Sequence, residues 1–490
     1  MESLNILLNK GEDMVNITML TDFYQLTMMN GYDFNQKSDE IMVFDMFYRK
    51  NPNNGGYAIV CGINEVIDYV ENLKFTQDDI QYLRKQNVFN EEFLQYLQDF
   101  KFEGEIYAVE EGSIMFPNEP IIRVKAKAMQ AQFIETAILC IVNFQSLIAT
   151  KASRICYSAM GDDVMEFGLR RAQGPDAGLY GAKAAVIGGC VGTSNVLAGK
   201  MFDVPVLGTH AHSWVQSFDS ELEAFRAYAK AYPSKTMLLL DTYDTLGSGI
   251  VNAITVFKEL REQGYEPLGV RLDSGDLEFL SKEVRKRLDD AGFENVKITA
   301  SNDLDENTIT SLKNQGAKID VWGVGTKMIT SFDWAALGGV YKLCAVIKDG
   351  KVIPKIKISE DPVKINNPYP KNIYRIYGEQ DHKAIADLIV LEDEEIDENE
   401  PLTIFDPVHT WKKMTFKNFY VKKLLTPLFV DGKCVRDKKS VSEIKKHTQE
   451  EKDSLWIQYR RNENPQIYKV DLSRKLWTLK NELLEKRNIH

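Results

Sequence analysis

The stretches Met237-Leu-Leu-Leu-Asp-Thr-Tyr-Asp244 and Leu268-Gly-Val-Arg-Leu-Asp-Ser-Gly275 decide the fold. Each is a short apolar run that passes directly into charged and hydroxyl residues, which is typical of a buried strand that ends at a polar edge. Comparable runs end at Ile187, Leu207, Leu240, Leu272, Ala300 and Val324. The last five ends lie roughly 24 to 33 residues apart, about the length of one βα unit. Helical patterns occupy the gaps, at Trp214 to Tyr232, Ile250 to Gly264, Leu277 to Gly292 and Asp305 to Gly316.

This alternation predicts an α/β fold with a parallel sheet, either a doubly wound sheet or a closed barrel. Polar residues or glycines follow five of the runs, namely His210 and His212, Asp241 and Asp244, Arg271 and Asp273, Ser301 and Asn302, and Gly323 and Gly325. In a barrel the carboxyl ends of the strands converge on one mouth, where such enzymes hold their reactive groups. We therefore predict a TIM-like α/β barrel over residues 151–350, with the site at its mouth.

The regions on either side of the predicted barrel have a different pattern. Residues 1–150 mix strand-like runs such as Ile41 to Tyr48 with helical patterns and lack a regular βα alternation, which predicts a separate α+β domain. Residues 351–490 are expected to pack back on this N-terminal domain. The most apolar window, Phe133 to Ile148, is interrupted by Glu135 and is shorter than a membrane span, so we expect a buried helix and no membrane association.

Composition limits the class of protein. The 490 residues carry a net charge of −11, which argues against nucleic acid as a partner. The six cysteines lack C-x-x-C spacing, and Met1 to Leu8 lack the basic segment of a secretory signal, so reduced thiols and a cytoplasmic location are expected. The sequence contains no Walker loop, no H-E-x-x-H zinc motif and no G-x-S-x-G nucleophile turn.

The stretch Gly208-Thr-His-Ala-His-Ser-Trp214 contains two of the six histidines in the chain. It lies between an apolar run and a helical pattern, so His212 is expected in a strand-to-helix turn, where side chains and free N–H groups face a ligand. The alternative is a pair of surface-loop histidines. Asp241 and Arg271 end buried-type strands, where an unpaired charge is costly. A histidine is a natural partner for Asp241, and an anionic or aromatic group for Arg271.

Two further stretches are candidates for binding anions. The glycines of Gly323-Val-Gly-Thr326 allow backbone N–H groups to approach a phosphate, and loops after the last strands of a barrel often bind one. The guanidinium groups of Arg170 and Arg171 suit a phosphate or a carboxylate, although a surface pair bonded to nearby acids is an equal alternative. The residues thus indicate an enzyme that binds a phosphorylated substrate at a barrel mouth, with a His–Asp pair for proton or group transfer.

Seven motifs between about residues 20 and 330 resemble, in the same order, those of the nicotinate phosphoribosyltransferase family of type II phosphoribosyltransferases. They are Thr21-Asp-Phe-Tyr24, Phe167-Gly-Leu-Arg-Arg-Ala-Gln-Gly-Pro-Asp176, Gly192-Thr-Ser-Asn195, Gly208-Thr-His-Ala-His-Ser-Trp214, Leu240-Asp-Thr-Tyr-Asp244, Gly269-Val-Arg-Leu-Asp-Ser-Gly-Asp276 and Gly323-Val-Gly-Thr326. The resemblance implies an irregular α/β barrel, a second α+β domain formed by the N-terminal region with part of the C-terminal region, and a homodimer with shared active sites. It also implies that nicotinate and phosphoribosyl pyrophosphate give nicotinate mononucleotide and pyrophosphate in NAD salvage, with ATP as co-substrate and Mg²⁺ as cofactor.

The resemblance also implies a role for each matching residue. His212 is the position that the family phosphorylates from ATP, and Asp241 is expected to accept a hydrogen bond from its other ring nitrogen. Arg271 is the third residue that is expected to be catalytic, together with His212 and Asp241. The pyridine ring is expected to stack on Phe167 and on Tyr24 of the other subunit. Asp273 is expected to bind the ribose hydroxyls or Mg²⁺. Thr209, with Arg271, is expected to contact nicotinate or the ribose, and Arg170 and Arg171 the phosphates or the carboxylate. Phosphate binding is expected from Ser301, Gly323, Gly325 and Thr326.

Ser194 bears on the choice between nicotinate and nicotinamide. The related family that uses the amide has an aspartate at this position, and a buried carboxylate would accept from an amide and repel nicotinate. A serine hydroxyl donates to a carboxylate, so Ser194 favours nicotinate. The remaining alternatives are a nicotinamide phosphoribosyltransferase and a catalytically silent homologue that binds NAD metabolites.

Overall fold

The computed structural model describes residues 16–487, so the expectation about a signal segment at Met1 to Leu8 lies outside the described residues. The N-terminal part comprises α1 (Phe23–Phe34), β1 (Ile41–Phe47), β2 (Ala58–Ile59), α2 (Ile63–Glu71), α3 (Gln77–Lys85), α4 (Glu91–Gln98), β3 (Glu105–Ala108), β4 (Ile114–Met115), β5 (Ile122–Lys127), α5 (Ala128–Phe133) and α6 (Glu135–Ser158).

The middle of the chain alternates between strands and helices. Its elements are β6 (Asp163–Glu166), α7 (Pro175–Gly188), β7 (Gly192–Thr193), α8 (Val196–Phe202), α9 (His212–Gln216), α10 (Glu221–Ala231), β8 (Met237–Leu239), α11 (Ile250–Glu262), β9 (Gly269–Leu272), α12 (Leu277–Asp290), β10 (Lys297–Ala300), α13 (Glu306–Gln315), β11 (Val321–Val324) and α14 (Thr326–Ile329). The predicted helix from Trp214 to Tyr232 is divided, because Ser220 begins a new helix by accepting from the Glu223 N–H at 3.2 Å.

The C-terminal part is mostly antiparallel. It comprises β12 (Val340–Lys348), β13 (Lys351–Pro354), β14 (Lys371–Gly378), β15 (Ala384–Leu391), β16 (Leu402–Phe405), β17 (Lys413–Phe416), β18 (Phe419–Lys423), β19 (Thr426–Val430), β20 (Lys433–Cys434), α15 (Val441–Ser454), α16 (Ile457–Arg460), β21 (Lys469–Leu472) and α17 (Arg474–Arg487).

Strands β6 to β11 form a parallel sheet in the order β7-β6-β11-β10-β9-β8, which confirms the predicted α/β class. The predicted closed barrel is not confirmed, because β8 has no strand partner on its outer side within the described residues. At the other edge Thr193 pairs with the segment that contains Val206. Between these edges the Leu239 N–H donates to Nε2 of His210 at 3.3 Å. The His210 side chain therefore accepts from an outer-edge N–H of β8. In a closed barrel that N–H would donate to the carbonyl of a neighbouring strand.

The second domain is built from both ends of the chain, as the resemblance implies. Its main sheet has the order β13-β12-β1-β5-β3-β19-β20, and every pair in it is antiparallel. A four-stranded sheet, β18-β14-β15-β21, belongs entirely to the C-terminal part. Strand β12 begins at Val340 and pairs with β1, so the chain returns to this domain before the predicted boundary at residue 350.

Helix α6 joins the two hydrophobic cores. Its first half packs in the core of the antiparallel sheet with Ile138 and Val142, and its second half packs in the core of the parallel sheet with Ala152 and Ile155. Residues 128–158 are long and apolar enough to cross a membrane, but 61% of their most apolar window is buried inside the protein. The predicted buried helix is confirmed, although it is longer than the window that predicted it.

Candidate active site

The carboxyl ends of all six parallel strands lie at one edge of the sheet, and the predicted site residues follow them. In spatial order across the sheet these are Ser194 after β7, Phe167 after β6, Gly325 and Thr326 after β11, Ser301 after β10, Asp273 after β9 and Asp241 after β8. This convergence follows from the parallel pairing itself, which does not require closure into a barrel. The tertiary structure thus brings together residues that are more than a hundred positions apart in sequence.

Arg271 is the centre of this edge, and all three nitrogens of its guanidinium group donate hydrogen bonds. Nε donates to the Ser301 hydroxyl at 2.8 Å, one terminal nitrogen to the Thr209 hydroxyl at 2.9 Å, and the other to Asp273 Oδ1 at 2.9 Å. The guanidinium carbon lies 5.8 Å from the centroid of the Phe167 ring. An anionic or aromatic partner was expected for this charge, and the structure provides one of each.

Asp273 is held as a carboxylate by its neighbours. It accepts from Arg271 and from the hydroxyl of Ser301. Burial raises its pKa, but the Ser301 hydrogen bond and the charge of Arg271 outweigh burial, and the resulting pKa lies below the usual range. Ser301 is predicted to bind phosphate. Within this chain its hydroxyl contacts Arg271 and Asp273, so it also fixes their geometry.

His212 is the first residue of α9, so the predicted start of a helix is confirmed. The strand predicted before it is reduced to a single bridge between Val206 and Thr193. Its Nδ1 lies 3.1 Å from the Thr242 hydroxyl, and its Nε2 lies 3.6 Å from Asp273 Oδ2. The predicted hydrogen bond to Asp241 is not formed. Oδ2 of Asp241 accepts instead from the Asp273 N–H at 3.1 Å and from the Ser274 hydroxyl at 2.5 Å. The carboxylate beside the histidine is therefore Asp273, while Asp241 is engaged with the loop after β9.

The two histidines of the motif have different roles. His210 is buried, and its Nε2 accepts from Leu239 while Nδ1 lies 3.3 Å from the Ala211 carbonyl. An accepting Nε2 requires the neutral imidazole with its proton on Nδ1. Burial first, and then the charge of Arg271, lower its pKa to about 4. His210 is therefore a neutral structural group, whereas the imidazole of His212 is half-exposed at the edge.

Gly323 is required because of Phe167. A Cβ atom at Gly323 would lie 2.7 Å from Cδ2 and 2.8 Å from Cε2 of the Phe167 ring, too close for any other residue without movement of the ring. A Cβ atom at Gly325 would lie 3.1 Å from the Phe167 carbonyl oxygen, so this glycine also approaches the turn closely. Both glycines were predicted to admit a phosphate. The structure gives Gly323 a different reason, while Gly325 and Thr326 begin α14 at the exposed edge.

Within the described residues, Arg170, Arg171 and Tyr24 make no hydrogen bond to Arg271. Arg170 and Arg171 are exposed on the short 3-10 turn after Phe167. Tyr24 is half-exposed on α1, beside Thr136 in the first turn of α6. Two residues of the site were not singled out in the sequence. Thr242 lies within a quoted motif, and Glu166 is a charge at the end of a buried strand, the same signal that identified Arg271.

Within residues 16–487, no three histidine, cysteine or acidic side chains are grouped so that they could hold a metal ion by themselves. The site nevertheless offers one suitable oxygen. Asp241 Oδ1 is buried and accepts no hydrogen bond from the described residues. Mg²⁺ is usually bound by one or two carboxylates together with phosphate oxygens of a substrate and water. The residues present therefore fit a magnesium ion that is carried largely by a phosphorylated ligand.

A partly buried arginine, two carboxylates and a half-exposed histidine at the carboxyl edge of a parallel sheet define an α/β enzyme that acts on an anionic substrate. Family models agree with this class. The N-terminal domain of nicotinate phosphoribosyltransferase matches residues 19–143, the nicotinate phosphoribosyltransferase family matches residues 163–385, and the C-terminal domain matches residues 370–480. The chain belongs to the nicotinate phosphoribosyltransferase family.

Individual relatives match over nearly their whole length. The chain is 46% identical to the nicotinate phosphoribosyltransferase of Bacillus subtilis, over 95% of this chain and 94% of the relative. It is 38% identical to that of Caenorhabditis elegans, over 95% and 93%. The solved structure of human nicotinic acid phosphoribosyltransferase is 30% identical, superposes with a TM-score of 0.84, and corresponds to 94% of this chain and 99% of the human chain.

Proposed function

We propose that this protein joins nicotinate to phosphoribosyl pyrophosphate, giving nicotinate mononucleotide and pyrophosphate. The observation that carries the proposal is the Arg271 cluster, in which Asp273, Thr209 and Phe167 surround one guanidinium group beside His212. Relatives that bear the name of this activity align over nearly the whole chain, which supports the same reaction here.

The glycosyl transfer itself needs no proton transfer. The ring nitrogen of nicotinate carries a lone pair and no proton, so the new bond to C1′ forms as the bond from C1′ to the pyrophosphate oxygen breaks. The sugar becomes positively charged in the transition state and the leaving pyrophosphate becomes more negative. The Asp273 carboxylate is suited to stabilise the positive charge on the sugar. Arg170 and Arg171 are suited to stabilise the negative charge on the pyrophosphate. A well-placed charged group of this kind contributes about 3 kcal/mol.

Recognition of nicotinate is proposed for Phe167 and Ser194. Phe167 offers a ring face beside Arg271, and the Ser194 hydroxyl can donate to the substrate carboxylate, as can Thr209. A nicotinamide phosphoribosyltransferase remains the second candidate, but an aspartate in place of Ser194 would favour it. Gly325 and Thr326 are proposed for the 5′-phosphate, because the first N–H groups of α14 have no partner within the helix.

We further propose that ATP phosphorylates His212. The proximity of Asp273 to Nε2 favours a proton on that nitrogen, which leaves the lone pair on Nδ1. Attack by Nδ1 forms the bond to the γ-phosphorus and breaks its bond to the bridging oxygen, and ADP leaves. Water then returns the phosphate from the histidine to solution. Mg²⁺ would be bound by Asp241 and by phosphate oxygens, where it would offset their negative charge.

A homodimer is proposed because α1 presents an apolar face to solvent. Phe23, Tyr24 and Met28 are 53%, 48% and 38% exposed, and such a cluster usually marks a protein contact. This placement supports a Tyr24 that completes the partner's site rather than its own. All six cysteines are free, which supports a reducing, cytoplasmic location.

Two assays test the proposed reaction and the proposed phosphorylation. Pyrophosphate release is measured from phosphoribosyl pyrophosphate with nicotinate or with nicotinamide, each with and without ATP. Release with nicotinate that increases with ATP is expected, and preference for the amide would overturn the substrate assignment. Incubation with γ-labelled ATP should label the wild type with acid-labile phosphate and should not label His212→Asn. Equal labelling of that variant would exclude His212 as the acceptor.

A further inference from the structure

Glu166 is the last residue of β6, and its side chain is fully buried beneath the loops of the carboxyl edge. Its Oε1 accepts from the Gly168 N–H, and its Oε2 accepts from the Thr193 hydroxyl at 2.5 Å. Its backbone carbonyl accepts from the Ser194 N–H at 2.9 Å. One residue therefore holds two loops, the loop that carries Phe167 and the loop that carries Ser194.

The network continues from Thr193 into the neighbouring helices. The Thr193 oxygen accepts from the Asn195 N–H at 3.0 Å. Oδ1 of Asn195 caps α8 by accepting from Ala198 at 3.1 Å, and its Nδ2 donates to the Gly178 carbonyl in α7 at 3.0 Å. The backbone of Ser194 is thus fixed from both sides, and the carboxylate of Glu166 is the acceptor at which this chain of hydrogen bonds ends.

The Phe167 side is equally constrained. A Cβ atom at Gly168 would lie 2.8 Å from Oε1 of Glu166 and 2.5 Å from Cβ of Ile329, so only glycine allows the loop to approach the carboxylate this closely. The Phe167 N–H donates to the Val324 carbonyl at 2.8 Å. The ring direction of Phe167 therefore depends on a turn that is closed by the Glu166 side chain.

Such a carboxylate is costly to bury. Burial raises the pKa of Glu166, and the hydrogen bonds from Thr193 and Gly168 offset part of that rise. No lysine or arginine among the described side chains lowers the pKa of Glu166. A buried carboxyl group without a counter-ion at the edge of an active site is more often retained for the geometry it imposes than for stability.

We propose that Glu166 is the positioning residue for nicotinate. By fixing the Phe167 turn with one carboxylate oxygen and the Thr193–Ser194 turn with the other, it sets the spacing between the ring face and the hydroxyl that together recognise an aromatic acid. It touches no substrate itself. This inference rests on the proposed function, in which Phe167 and Ser194 bind the ring and the carboxylate.

Glu166→Gln is the decisive variant. The amide keeps the size of the side chain and its carbonyl can accept from Gly168, but its NH₂ group faces the Thr193 hydroxyl, which already accepts from Asn195. The Thr193 O–H then has no acceptor at this position, because the carboxylate oxygen that accepted from it has been replaced by a donor. An unsatisfied hydroxyl at this buried residue is costly, so the turn at Ser194 is expected to shift. Glu119→Gln is the matched control, because Glu119 is also fully buried and also accepts from a backbone N–H, that of Phe116 at 2.7 Å, in the second domain.

In Glu166→Gln we expect the KM for nicotinate to rise about tenfold or more, the usual effect of losing a hydrogen bond to a charged group, while the KM for phosphoribosyl pyrophosphate stays within about twofold. The ratio of kcat/KM for nicotinate over nicotinamide should fall. Glu119→Gln should change neither quantity. Equal increases in both KM values, or an unchanged preference for nicotinate, would overturn the positioning role.

Amide hydrogen exchange separates this inference from the proposed function. Glu166→Gln should accelerate exchange in the peptides that contain Phe167 to Arg171 and Thr193 to Ala198, and Glu119→Gln should not. If the wild type fails to use nicotinate but exchange in both loops accelerates in Glu166→Gln, the proposed function is wrong. The conclusion that Glu166 holds both loops would still be supported. If the wild type uses nicotinate and exchange in the two loops is unchanged by Glu166→Gln, the positioning role of Glu166 is wrong and the proposed function is untouched.

Discussion

His210 makes the stability of this protein depend on pH in a way that one substitution should remove. Its neutral imidazole accepts from Leu239 at the open edge of the parallel sheet, and protonation of Nε2 would eliminate that acceptor beside Arg271. The pKa falls from 6.5 to about 4 on folding, chiefly through burial. Between these values the unfolded chain binds a proton that the folded chain does not, so stability is lost as pH falls below the unfolded pKa.

The magnitude follows from the two pKa values. One pKa unit corresponds to about 1.36 kcal/mol, so the full difference is about 3 kcal/mol below pH 4. Between about pH 7.5 and about pH 5.0 the loss is about 2 kcal/mol, because the unfolded histidine is already mostly protonated at the lower pH. His210→Gln keeps an acceptor oxygen that can reach Leu239 but has no titrating group. The stability of His210→Gln should therefore lack the pH-dependent contribution of the His210 imidazole.

The measurement is urea unfolding of the wild type and of His210→Gln at the two pH values. Taking the difference between the proteins cancels the contribution of all other titrating groups. The wild type should lose about 2 kcal/mol more than the variant on acidification, while Glu and Asp contributions remain common to both. Parallel losses in the two proteins would refute the reasoning and would mean that His210 is not held neutral by the fold.

Three further substitutions test the site and the second domain. Gly323→Ala should push the Phe167 ring and raise the KM for nicotinate roughly 5- to 150-fold, the equivalent of about 1–3 kcal/mol of overpacking; an unchanged KM would show that the ring is not a substrate contact. Ser194→Asp should lower kcat/KM for nicotinate more than for nicotinamide, and equal losses would remove Ser194 from the specificity argument. Arg375→Ala should destabilise the protein by about 3–5 kcal/mol in thermal unfolding, because buried Asp387 loses its cation, and a loss below about 1 kcal/mol would contradict that pairing.

The positions of the chemical groups along the chain were predictable because strand ends can be recognised locally. Apolar runs that stop at polar residues predicted where Asp241, Arg271, Asp273 and Ser301 occur, and the structure brings all four to one edge. An anionic or aromatic partner for Arg271 was also expected, since a charge at the end of a buried strand needs compensation. Such inferences depend only on neighbouring residues and on the geometry of parallel strands.

The partner of His212 was not predictable from the sequence. Asp241 and Asp273 follow adjacent parallel strands and are equivalent by any local rule. Which of them reaches the imidazole depends on the path of each loop, and the loop after β9 brings Asp273 to 3.6 Å while Asp241 turns to accept from Ser274. The close approach of the Phe167 ring to Gly323 was likewise not predictable, because the two residues follow and belong to strands that are far apart in sequence.

The sequence alone determined the α/β class, the residues at the strand ends and the family to which they belong, because these depend on periodicity and on short motifs. Only the tertiary structure decided that the sheet is open within the described residues and that Glu166 joins two loops. It also decided that His210 bonds to the open edge of the sheet, whereas His212 lies beside Asp273 in the site. These features are contacts between segments far apart in the chain. Their energies depend on angles and distances of a few ångströms, which are set when the whole sheet and its loops pack together.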